Sequence, residues 1–453
     1  MANRRNEMIL VGFLQAQNCT NYVGAWRHPE AMGDFLTAEY YQRIARTLED
    51  ARFHLAFFDD RLAMPDIYND DAAAAIEAGV RVVKLAPAAV VMAMGLATRN
   101  LGLGCTYSTT YYEPFHVARE FATMDYMLGG RVAWNVVTSL NSSEARNFSQ
   151  MEHPAHDLRY DKADEFMEVV LGHWDTWADD AITLDKASEQ FADASKVAAL
   201  DHAGTYFRSR GPFTVPRTPQ GRPVIMQAGQ SGRGQAFAAR WAELVFAVYP
   251  TKERGQQAYA ALKATIAEAG RDPDDVAVAP AVYVIPGETK QMAADRLGLI
   301  EAQARPVDGI ALLSEALNFD FGSKPADEPF TDDELASISG LRAIIDRVTT
   351  ASGKSNPTPA DFVTYSKRGT IRDFPVFSGT PTEIADEMED WFKSSTCDGF
   401  VVAAPYVPGG YEDVARLVVP ELQKRGVFRK QYRGPTLREN LGLGRPERYD
   451  WRG

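Results

Sequence analysis

Eight short apolar runs, separated by longer amphipathic stretches, constrain the fold of this 453-residue chain more than any other feature. Most of the runs are continuously apolar, which is typical of strands covered on both faces of a parallel sheet. The stretches between them, such as "TAEYYQRIARTLEDAR" and "TPTEIADEMEDWFKSS", have helical patterns. Eight strands with intervening helices predict an α/β protein of the (β/α)8 TIM-barrel class, with a doubly wound sheet as the alternative. The predicted strands are residues 8–14, 54–59, 101–106, 131–137, 223–228, 243–249, 278–285 and 399–404.

Two connections are too long for a minimal barrel. Residues 140–222 join the fourth and fifth predicted strands, and residues 305–375 join the seventh and eighth. Loops of this length in a compact domain are usually functional, and in a barrel these two would emerge at the C-terminal face, where active sites lie. We therefore predict one domain over residues 1–453, with an insertion after strand 4 and a lid-like insertion after strand 7.

Composition argues against several classes of function. The net charge is −13 and no run is dense in Lys or Arg, so the chain lacks the basic face of a nucleic-acid binder. Its three cysteines, Cys19, Cys105 and Cys397, fit neither a disulfide framework nor a zinc site. The first apolar run ends in "QAQN" without a signal-peptide cleavage pattern, and the run at 85–97 is too short to cross a membrane. We predict a cytoplasmic protein with neither nucleic-acid nor membrane partners.

The stretch "HPAHDLRYDKADEF", residues 153–166, allows three interpretations. A metal site would use His153, His156 and Asp157, but the proline between the histidines disfavours the helical spacing that such ligands need. A helix start with Asp157 near the N-cap is the interpretation that the local residues favour. In the third, His156 and Tyr160 lie one turn apart on one helix face and point hydrogen-bond donors at an anionic ligand.

A second candidate site for an anion begins at Val224, in "VIMQAGQSGRGQAFAARWAEL". A strand ends in a glycine-containing turn with Ser231, and a helix follows. Exposed N–H groups, a hydroxyl and the helix dipole would together form a phosphate cradle. The alternative is that Ser231 only caps the helix.

Polar side chains also follow the apolar part of the fourth and second predicted strands. In "RVAWNVVTSLNSSEARNF" they could satisfy the hydrogen-bonding edge of a planar heterocycle, or could only cap the strand and the next turn. They are Asn135, Thr138, Ser139 and Asn141. In "AFFDDRLA", one of Asp59 and Asp60 suggests a site at the strand end, while the other pairs with Arg61 or Arg52 or meets solvent.

With these residues located, the chain resembles the bacterial luciferase-like flavin monooxygenases, in particular the branch that includes nitrilotriacetate, dibenzothiophene sulfone and long-chain alkane monooxygenases. The resemblance covers nearly the whole chain in co-linear motifs. They are "GAWRHP" (24–29), "YYQRIARTLEDARF" (40–53), "RVAWNVVTS" (131–139), "EARNF" (144–148), "HDLRYDKADEF" (156–166), "RGPFTVPRTPQGRPVIMQAG" (210–229), "DGFVVAAPYVPGG" (398–410) and "VVPELQKRGVFR" (418–429).

The resemblance implies a (β/α)8 barrel that binds FMN at its top. The family's FMN-contact positions fall here on residues of matching type, namely Asp60, Thr106, His156, Tyr160 and Ser231. Asn135 and Ser139 fall in the strand-four motif that lines the flavin pocket in similar proteins. The separate candidates thus converge on one ligand, and the stretch from 153 is then a flavin phosphate clamp rather than a metal site.

The resemblance further implies the oxygenase component of a two-component monooxygenase. Reduced FMN would come from a separate NAD(P)H:flavin reductase, since no GxGxxG sequence stands in a suitable context. O2 would add at flavin C4a, giving a hydroperoxide that transfers one oxygen atom to a small organic substrate. The protein must shelter this species from water, with residues 305–375 as the lid. Candidates for the dry wall of the pocket are Phe13, Phe57, Phe246 and Tyr249.

The substrate side departs from the relatives. Asn21 stands where the sulfone enzymes carry a histidine, no histidine follows His202, and Arg61 stands where relatives tend to have a small or apolar residue. An aromatic wall favours a planar or apolar substrate, whereas Arg61 would suit an anion if it points inward. We expect a sulfur- or nitrogen-containing aromatic substrate. Since barrels of this type tend to pair, we also expect a homodimer or homotetramer.

Two other functions stay open on the sequence. One is a flavin-binding barrel without oxygenase activity, acting as a store or sensor. The other is a metal-dependent barrel hydrolase using His153, His156 and Asp157. A deazaflavin in place of FMN is a related alternative, and neither a metal nor a specific acid or base is assigned.

Overall fold

Eight parallel strands close into a barrel in the computed structural model, which describes residues 6–149, 152–229, 231–449 and 451. Each barrel strand pairs with the next along the chain, and the last pairs with the first, so the doubly wound alternative is wrong. All eight predicted strands are present, with bounds within two residues of those expected. The strands are β1 (Ile9–Gln15), β2 (Leu55–Asp59), β3 (Gly102–Ser108), β4 (Val132–Val137), β5 (Val224–Gln227), β6 (Leu244–Ala247), β7 (Ala277–Pro286) and β8 (Gly399–Ala403).

The strands are buried on both faces, as their continuous apolar sequences predict. In β1, Ile9, Val11 and Phe13 belong to the apolar cluster inside the barrel. The alternate residues Leu10 and Leu14 belong to the cluster between the strands and the surrounding helices. This arrangement follows from the two-residue period of a strand, which sends successive side chains to opposite faces. The TIM-barrel fold is confirmed.

The helices follow the strands around the outside of the barrel. None of those in the described ranges is long and apolar enough to cross a membrane. They are α1 (Ala38–Asp50), α2 (Ala73–Ala78), α3 (Pro87–Leu96), α4 (Pro114–Met127), α5 (Ser142–Asn147), α6 (His156–Trp174), α7 (Gly232–Trp241), α8 (Lys252–Glu268), α9 (Lys290–Glu301), α10 (Pro306–Leu317), α11 (Asp332–Ser337), α12 (Ala343–Ser352), α13 (Pro359–Ser366), α14 (Pro381–Lys393), α15 (Gly409–Asp413), α16 (Val419–Lys424) and α17 (Leu437–Leu441).

The segment at 140–222 contains more regular structure than its polar sequence suggests. Its longest element is α6, which contacts α4 and α7 in the outer ring of helices. The rest includes two short antiparallel hairpins, Ile182–Asp185 with Gln190–Ala192 and His202–Ala203 with Arg208–Ser209. The Pro and Gly residues therefore belong mainly to the connections after α6.

The segment at 305–375 holds α10 to α13 and has an apolar cluster of its own. That cluster comprises Leu313, Ala316, Leu317, Phe321, Phe330, Ile338, Ile344, Ile345, Val348 and Phe362. The segment is tied to the barrel by an ion pair between Arg27 and Asp308, both almost fully buried. It also contacts the turn after β4, because the Asn318 side chain donates to the Leu140 carbonyl at 2.9 Å.

The short hairpin strands and one strand beside the barrel were not expected from the sequence. Residues Val376–Gly379 pair with the carboxyl end of β7, where Tyr283 is the partner of Val376. The strand is short and half of it is serine and glycine, so it lacks the apolar run by which the others are recognised. It stands beside the barrel rather than within the closed ring.

Candidate active site

A cavity of about 1630 Å³ opens at the carboxyl ends of the barrel strands. Its walls come from strand ends such as Val137 and Gln227, from the start of α6, and from the segment at 305–375, including Ile338 and Arg368. Pockets for single drug-sized ligands occupy roughly 300–1,000 Å³. The cavity therefore has room for a cofactor and a second small molecule, at the face where barrel enzymes carry their active sites.

One end of the cavity is an anion cradle formed by α6 and the turn before α7. Ser231 caps α7, since its Oγ accepts a hydrogen bond from the Gly234 N–H at 3.0 Å. The same Oγ lies 3.4 Å from His156 Nε2. The cap uses the hydroxyl oxygen as acceptor and leaves its proton free to donate, so the capping role and the cradle role of Ser231 are compatible. The N-terminal dipole of α7 adds a positive potential.

Two glycines allow this turn to close around Tyr160. A Cβ on Gly229 would lie 2.8 Å from the Tyr160 hydroxyl, and one on Gly234 would lie 2.9 Å from it. Tyr160 is buried, and burial raises the pKa of its phenol, so the hydroxyl stays protonated and can donate. Tyr160, Ser231 and the N–H groups at the start of α7 thus converge on one small volume.

A second set of polar groups lies deeper, where β3 and β4 run side by side. Thr106 and Asn135 are direct partners in the register of these strands, and Asn135 Nδ2 donates to Thr106 Oγ1 at 2.8 Å. Asn135 Oδ1 and Gln227 Oε1 are buried acceptors without a hydrogen-bond partner in the described part of the chain. Buried polar atoms are rarely left unpaired, so these two fit a ligand with N–H donors at its edge.

The predicted flavin contacts fall into two groups in space. Ser139, His156, Tyr160 and Ser231 line the cavity. Ser139 has a left-handed φ of 56° and donates to Ser108 Oγ at 2.9 Å. Thr106 and Asn135 are buried in the barrel wall below the cavity.

The remaining predicted contact, Asp60, is half-buried just after β2. Its Oδ1 accepts from the Arg61 N–H at 2.8 Å. Burial raises the pKa of the Asp60 carboxyl to about 7, against the opposing effect of the Lys84 ammonium. Asp60 therefore changes charge near neutral pH.

The candidate aromatic residues also divide into those that line the cavity and those that are buried away from it. Phe246 lines the cavity together with Phe374, which the sequence did not single out. Phe13 and Phe57 lie beneath them as a stacked pair with ring centroids 5.5 Å apart, and Phe13 is 5.2 Å from Phe246. Tyr249 is buried and packs against Gly255 on α8 instead.

The two substrate-side candidates belong to one polar network. Asn21 donates to the Tyr283 hydroxyl at 3.2 Å and accepts from Arg81 Nη2 at 3.0 Å. Arg61 lines the cavity, and its Nε lies 4.0 Å from Glu315 Oε1 on α10. Asn21 is thus fixed in the barrel wall, whereas Arg61 faces the open space.

The two histidines of the stretch at 153–166 have different hydrogen-bond partners in the structure. His153 Nδ1 lies 2.6 Å from the Tyr111 hydroxyl, and burial lowers the pKa of His153 to about 4. His156 faces Ser231 and Asp157. Across the described ranges, no group of three or more His, Cys, Asp or Glu side chains is arranged to hold a metal ion.

Several residues of the site were missed by the sequence reasoning. Gln227 ends the apolar run "VIMQ", and a polar residue at a strand end was the signal already used for Asn135. The glycine pair Gly229 and Gly234 was visible only as a glycine-rich turn. Glu315 and Arg368 carried no local signal, because their neighbours in the site are far away in sequence.

The chain is similar to known proteins over nearly its whole length. Residues 18–398 match the family model of the luciferase-like monooxygenases. The chain belongs to this family. It is 44% identical to a dibenzothiophene-sulfone monooxygenase of Rhodococcus erythropolis over 98% of both chains. It is 36% identical to component A of the nitrilotriacetate monooxygenase of Aminobacter aminovorans, also over 98% of both. A crystal structure of a riboflavin lyase with modified FMN and riboflavin superimposes with a TM-score of 0.87 at 30% identity, covering 96% of each chain.

The family membership confirms the expected resemblance and the class of the enzyme. This luciferase-like monooxygenase is a flavin-dependent oxygenase, and the cofactor that its site must hold is a flavin. The polar groups around Tyr160 and the unpaired amide oxygens of Asn135 and Gln227 fit such a cofactor, with its side chain at one end and its hydrogen-bonding ring at the other.

Proposed function

We propose that this protein is the FMN-dependent oxygenase component of a two-component monooxygenase. It would take reduced FMN from a separate NAD(P)H:flavin reductase and use O2 to oxygenate a small organic substrate. The observation that carries the proposal is the cluster of donors formed by Tyr160, Ser231 and the start of α7 at one end of the cavity, which the phosphate of FMN would use and riboflavin would leave unused. The designation of one relative as a component A and the modified FMN in another support it.

The cradle residues would anchor the phosphate. The Ser231 and Tyr160 hydroxyls and the free N–H groups of the first turn of α7 are donors, and an anion at a helix N-terminus is favoured by the dipole. The His156 imidazole, whose Nε2 lies 3.4 Å from Ser231 Oγ, adds a further polar group beside the phosphate. Since Gly229 and Gly234 have no side chains, the backbone can approach the phosphate closely.

The deeper residues would orient the ring. Thr106 Oγ1 donates to the Phe58 carbonyl at 2.8 Å, so it can only accept from Asn135, and the Asn135 Oδ1 atom is left without a partner in the described part of the chain. Bound reduced FMN supplies two electrons for the activation of O2, so that one oxygen atom enters the substrate and the other leaves as water. Phe246 and Phe374 would exclude bulk water, and Asp60 would hold a proton near neutral pH.

We further propose a cytoplasmic homodimer or homotetramer. The three cysteines are buried as reduced thiols, which suits a reducing compartment. Light scattering coupled to size-exclusion chromatography measures the oligomeric state directly.

The test of the proposed function uses the purified full-length protein. Titration with FMN and with riboflavin should show tighter binding of FMN. Oxygen consumption with NADH, FMN and a generic flavin reductase should then depend on an added substrate from a panel of sulfur compounds, amines and carboxylates. Equal affinity for FMN and riboflavin would contradict the cradle assignment. A protein that binds FMN but never forms an oxygenated product would instead be a flavin store or sensor.

A further inference from the structure

Arg61 occupies an unusual position for a cation. It lies two residues beyond the end of β2, at the mouth of the barrel, and it lines the cavity with its side chain 24% exposed. Within the described ranges, its side chain makes one hydrogen bond, from Nη1 to the Asp60 carbonyl at 3.3 Å. A guanidinium has five N–H donors, so most of its hydrogen-bonding capacity points elsewhere.

Glu315 is the carboxylate that pairs with Arg61, but the two side chains are not hydrogen-bonded to each other. The Nε to Oε1 distance of 4.0 Å is beyond hydrogen-bonding range. Glu315 Oε1 already accepts from Asn141 Nδ2 at 2.7 Å, and Oε2 lies 3.9 Å from Arg81 Nη1. Asn141 is therefore the hydrogen-bond partner of the carboxylate, and two guanidinium groups, Arg61 and Arg81, stand at nearly equal distances from its single negative charge.

The surroundings of Glu315 contain more cations than it can balance. Burial would raise the pKa of Glu315, but neighbouring positive groups outweigh burial and hold that pKa below its usual value. These groups are Arg81, Lys84, Arg61 and Arg368. Asp59 also faces this cluster, acting on Arg81. Arg368 is paired with Asp373 at 2.5 Å, and it lines the cavity beside Arg61.

The same cavity offers an apolar surface. Phe246, Phe374 and Val248 line it, and the Phe246 and Phe374 ring centroids are 6.3 Å apart. The anion cradle of Tyr160 and Ser231 belongs to the flavin under the proposed function. Arg61 lies on another wall. A half-buried charge with few partners is costly there unless a ligand supplies an opposite charge and accepts its hydrogen bonds.

The geometry points to an organic anion as the substrate: a carboxylate or sulfonate on an aromatic or apolar body, with its charged group on Arg61 and its body against Phe246 and Phe374. This inference rests on the proposed function, because it names the substrate class of the same site. The planar fork of Arg61 can donate two parallel hydrogen bonds to an oxyanion, which a lysine cannot do. Arg61 is then a specificity-determining residue that binds substrate.

The test compares pairs of probes that differ in charge but little in shape. The pairs are naphthalene-2-sulfonate with naphthalene-2-sulfonamide, and 2-naphthoate with 2-naphthamide. Their affinities are measured by calorimetry on the protein loaded with FMN, for the wild type and the variants Arg61→Gln and Arg61→Lys. The matched control is Arg342→Gln, which removes an exposed arginine from the rim of the same cavity.

We expect the wild type to bind at least one anion more than tenfold more tightly than its amide. Arg61→Gln should lose about 10- to 100-fold in affinity for that anion, the range for hydrogen bonds to a charged group, and should bind the amide within twofold of the wild type. Arg61→Lys should retain part of the preference, and Arg342→Gln nearly all of it. The sulfonate and carboxylate arms then identify which oxyanion is preferred.

Two results would contradict the inference. If neither anion binds more tightly than its amide, absence of binding included, the inference is wrong. It is also wrong if Arg342→Gln loses as much affinity as Arg61→Gln, because the charge preference would then belong to the rim. The FMN affinity of each variant is measured alongside. An unchanged value shows that Arg61→Gln is folded, and failure of the wild type to bind FMN would contradict the proposed function instead.

Discussion

Asn135 donates a hydrogen bond to Thr106 across two adjacent barrel strands, and the two residues are direct partners in the strand register. Because Thr106 uses its own proton on the Phe58 carbonyl, the direction of this bond is fixed. The amide nitrogen of Asn135 is therefore the end held by Thr106, and the amide oxygen, which has no partner in the described structure, is left to accept from a ligand. A strand-to-strand contact thus selects a ligand with a donor at its edge.

We expect Thr106→Val to weaken flavin binding by roughly tenfold, because the loss of one oriented hydrogen bond changes the binding free energy by about 1–1.5 kcal/mol. The measurement is quenching of flavin fluorescence during titration. Thr396→Val is the matched control, since Thr396 is equally buried and its hydroxyl lies 3.0 Å from Ser394 Oγ, before β8 at the other end of the barrel. Equal losses in both variants would mean that the effect comes from stability.

The barrel itself could be predicted from the sequence because each strand is a continuous apolar run with helical patterns on either side. The strand at Val376–Gly379 was not predicted from the sequence, because it is stabilised by its pairing with β7 rather than by its own composition. Candidate residues at strand ends, such as Asn135 and Ser231, could be recognised by local contrast with the apolar run before them. Glu315 could not, because Arg61, Asn141 and Glu315 meet only when α10 folds over the barrel.

The cradle predicts different effects for two glycines of one turn. Gly234→Ala should abolish most of the preference for FMN over riboflavin, because its Cβ would meet the Tyr160 hydroxyl and the Gly229 backbone at 2.9–3.1 Å. Gly232→Ala is the control, since no atom lies within 4 Å of the Cβ position there. As alanine favours helices over glycine by up to about 1 kcal/mol, this control should be neutral or slightly stabilising. The ratio of the two dissociation constants is measured for each variant.

Riboflavin is the comparison ligand that isolates the effect of the phosphate, since it lacks the phosphate but keeps the ring. A Gly234→Ala protein that loses affinity for both ligands equally would place the damage outside the phosphate cradle. Retention of the full FMN preference would contradict the assignment of Tyr160 and Ser231.

Phe246 at the cavity and Phe57 beneath it are predicted to have different roles. One should affect the coupling of O2 consumption to substrate oxygenation, and the other the stability of the fold. Phe246→Ala should raise the fraction of consumed O2 that appears as hydrogen peroxide, because the wall that excludes water is opened. Phe57→Ala, beneath the cavity, should instead cost about 3–5 kcal/mol of stability, as expected for a buried phenylalanine. Peroxide yield per NADH and the unfolding midpoint in denaturant are measured for both. A Phe57→Ala protein with normal stability and high peroxide yield would reverse the assignment.

Asp60 predicts a pH dependence of flavin binding centred near pH 7. Burial raises the pKa of this carboxyl to about 7, so it carries its negative charge above pH 7 and loses most of it by pH 6. FMN is itself an anion, so the ionised carboxyl of Asp60 should repel it weakly across the mouth of the barrel, by less than the roughly 1 kcal/mol that two like charges about 4 Å apart have in a water-like dielectric. Relative to Asp60→Asn, the wild type should therefore bind FMN equally well at pH 6 and up to about threefold more weakly at pH 8. The ratio of the two dissociation constants is the useful measurement, because titration of the phosphate affects both proteins alike.

Asp70→Asn removes a carboxylate from the exposed rim of the cavity and should leave the wild-type pH profile intact. A ratio that stays constant from pH 6 to pH 8 would show that the carboxyl of Asp60 does not face the flavin.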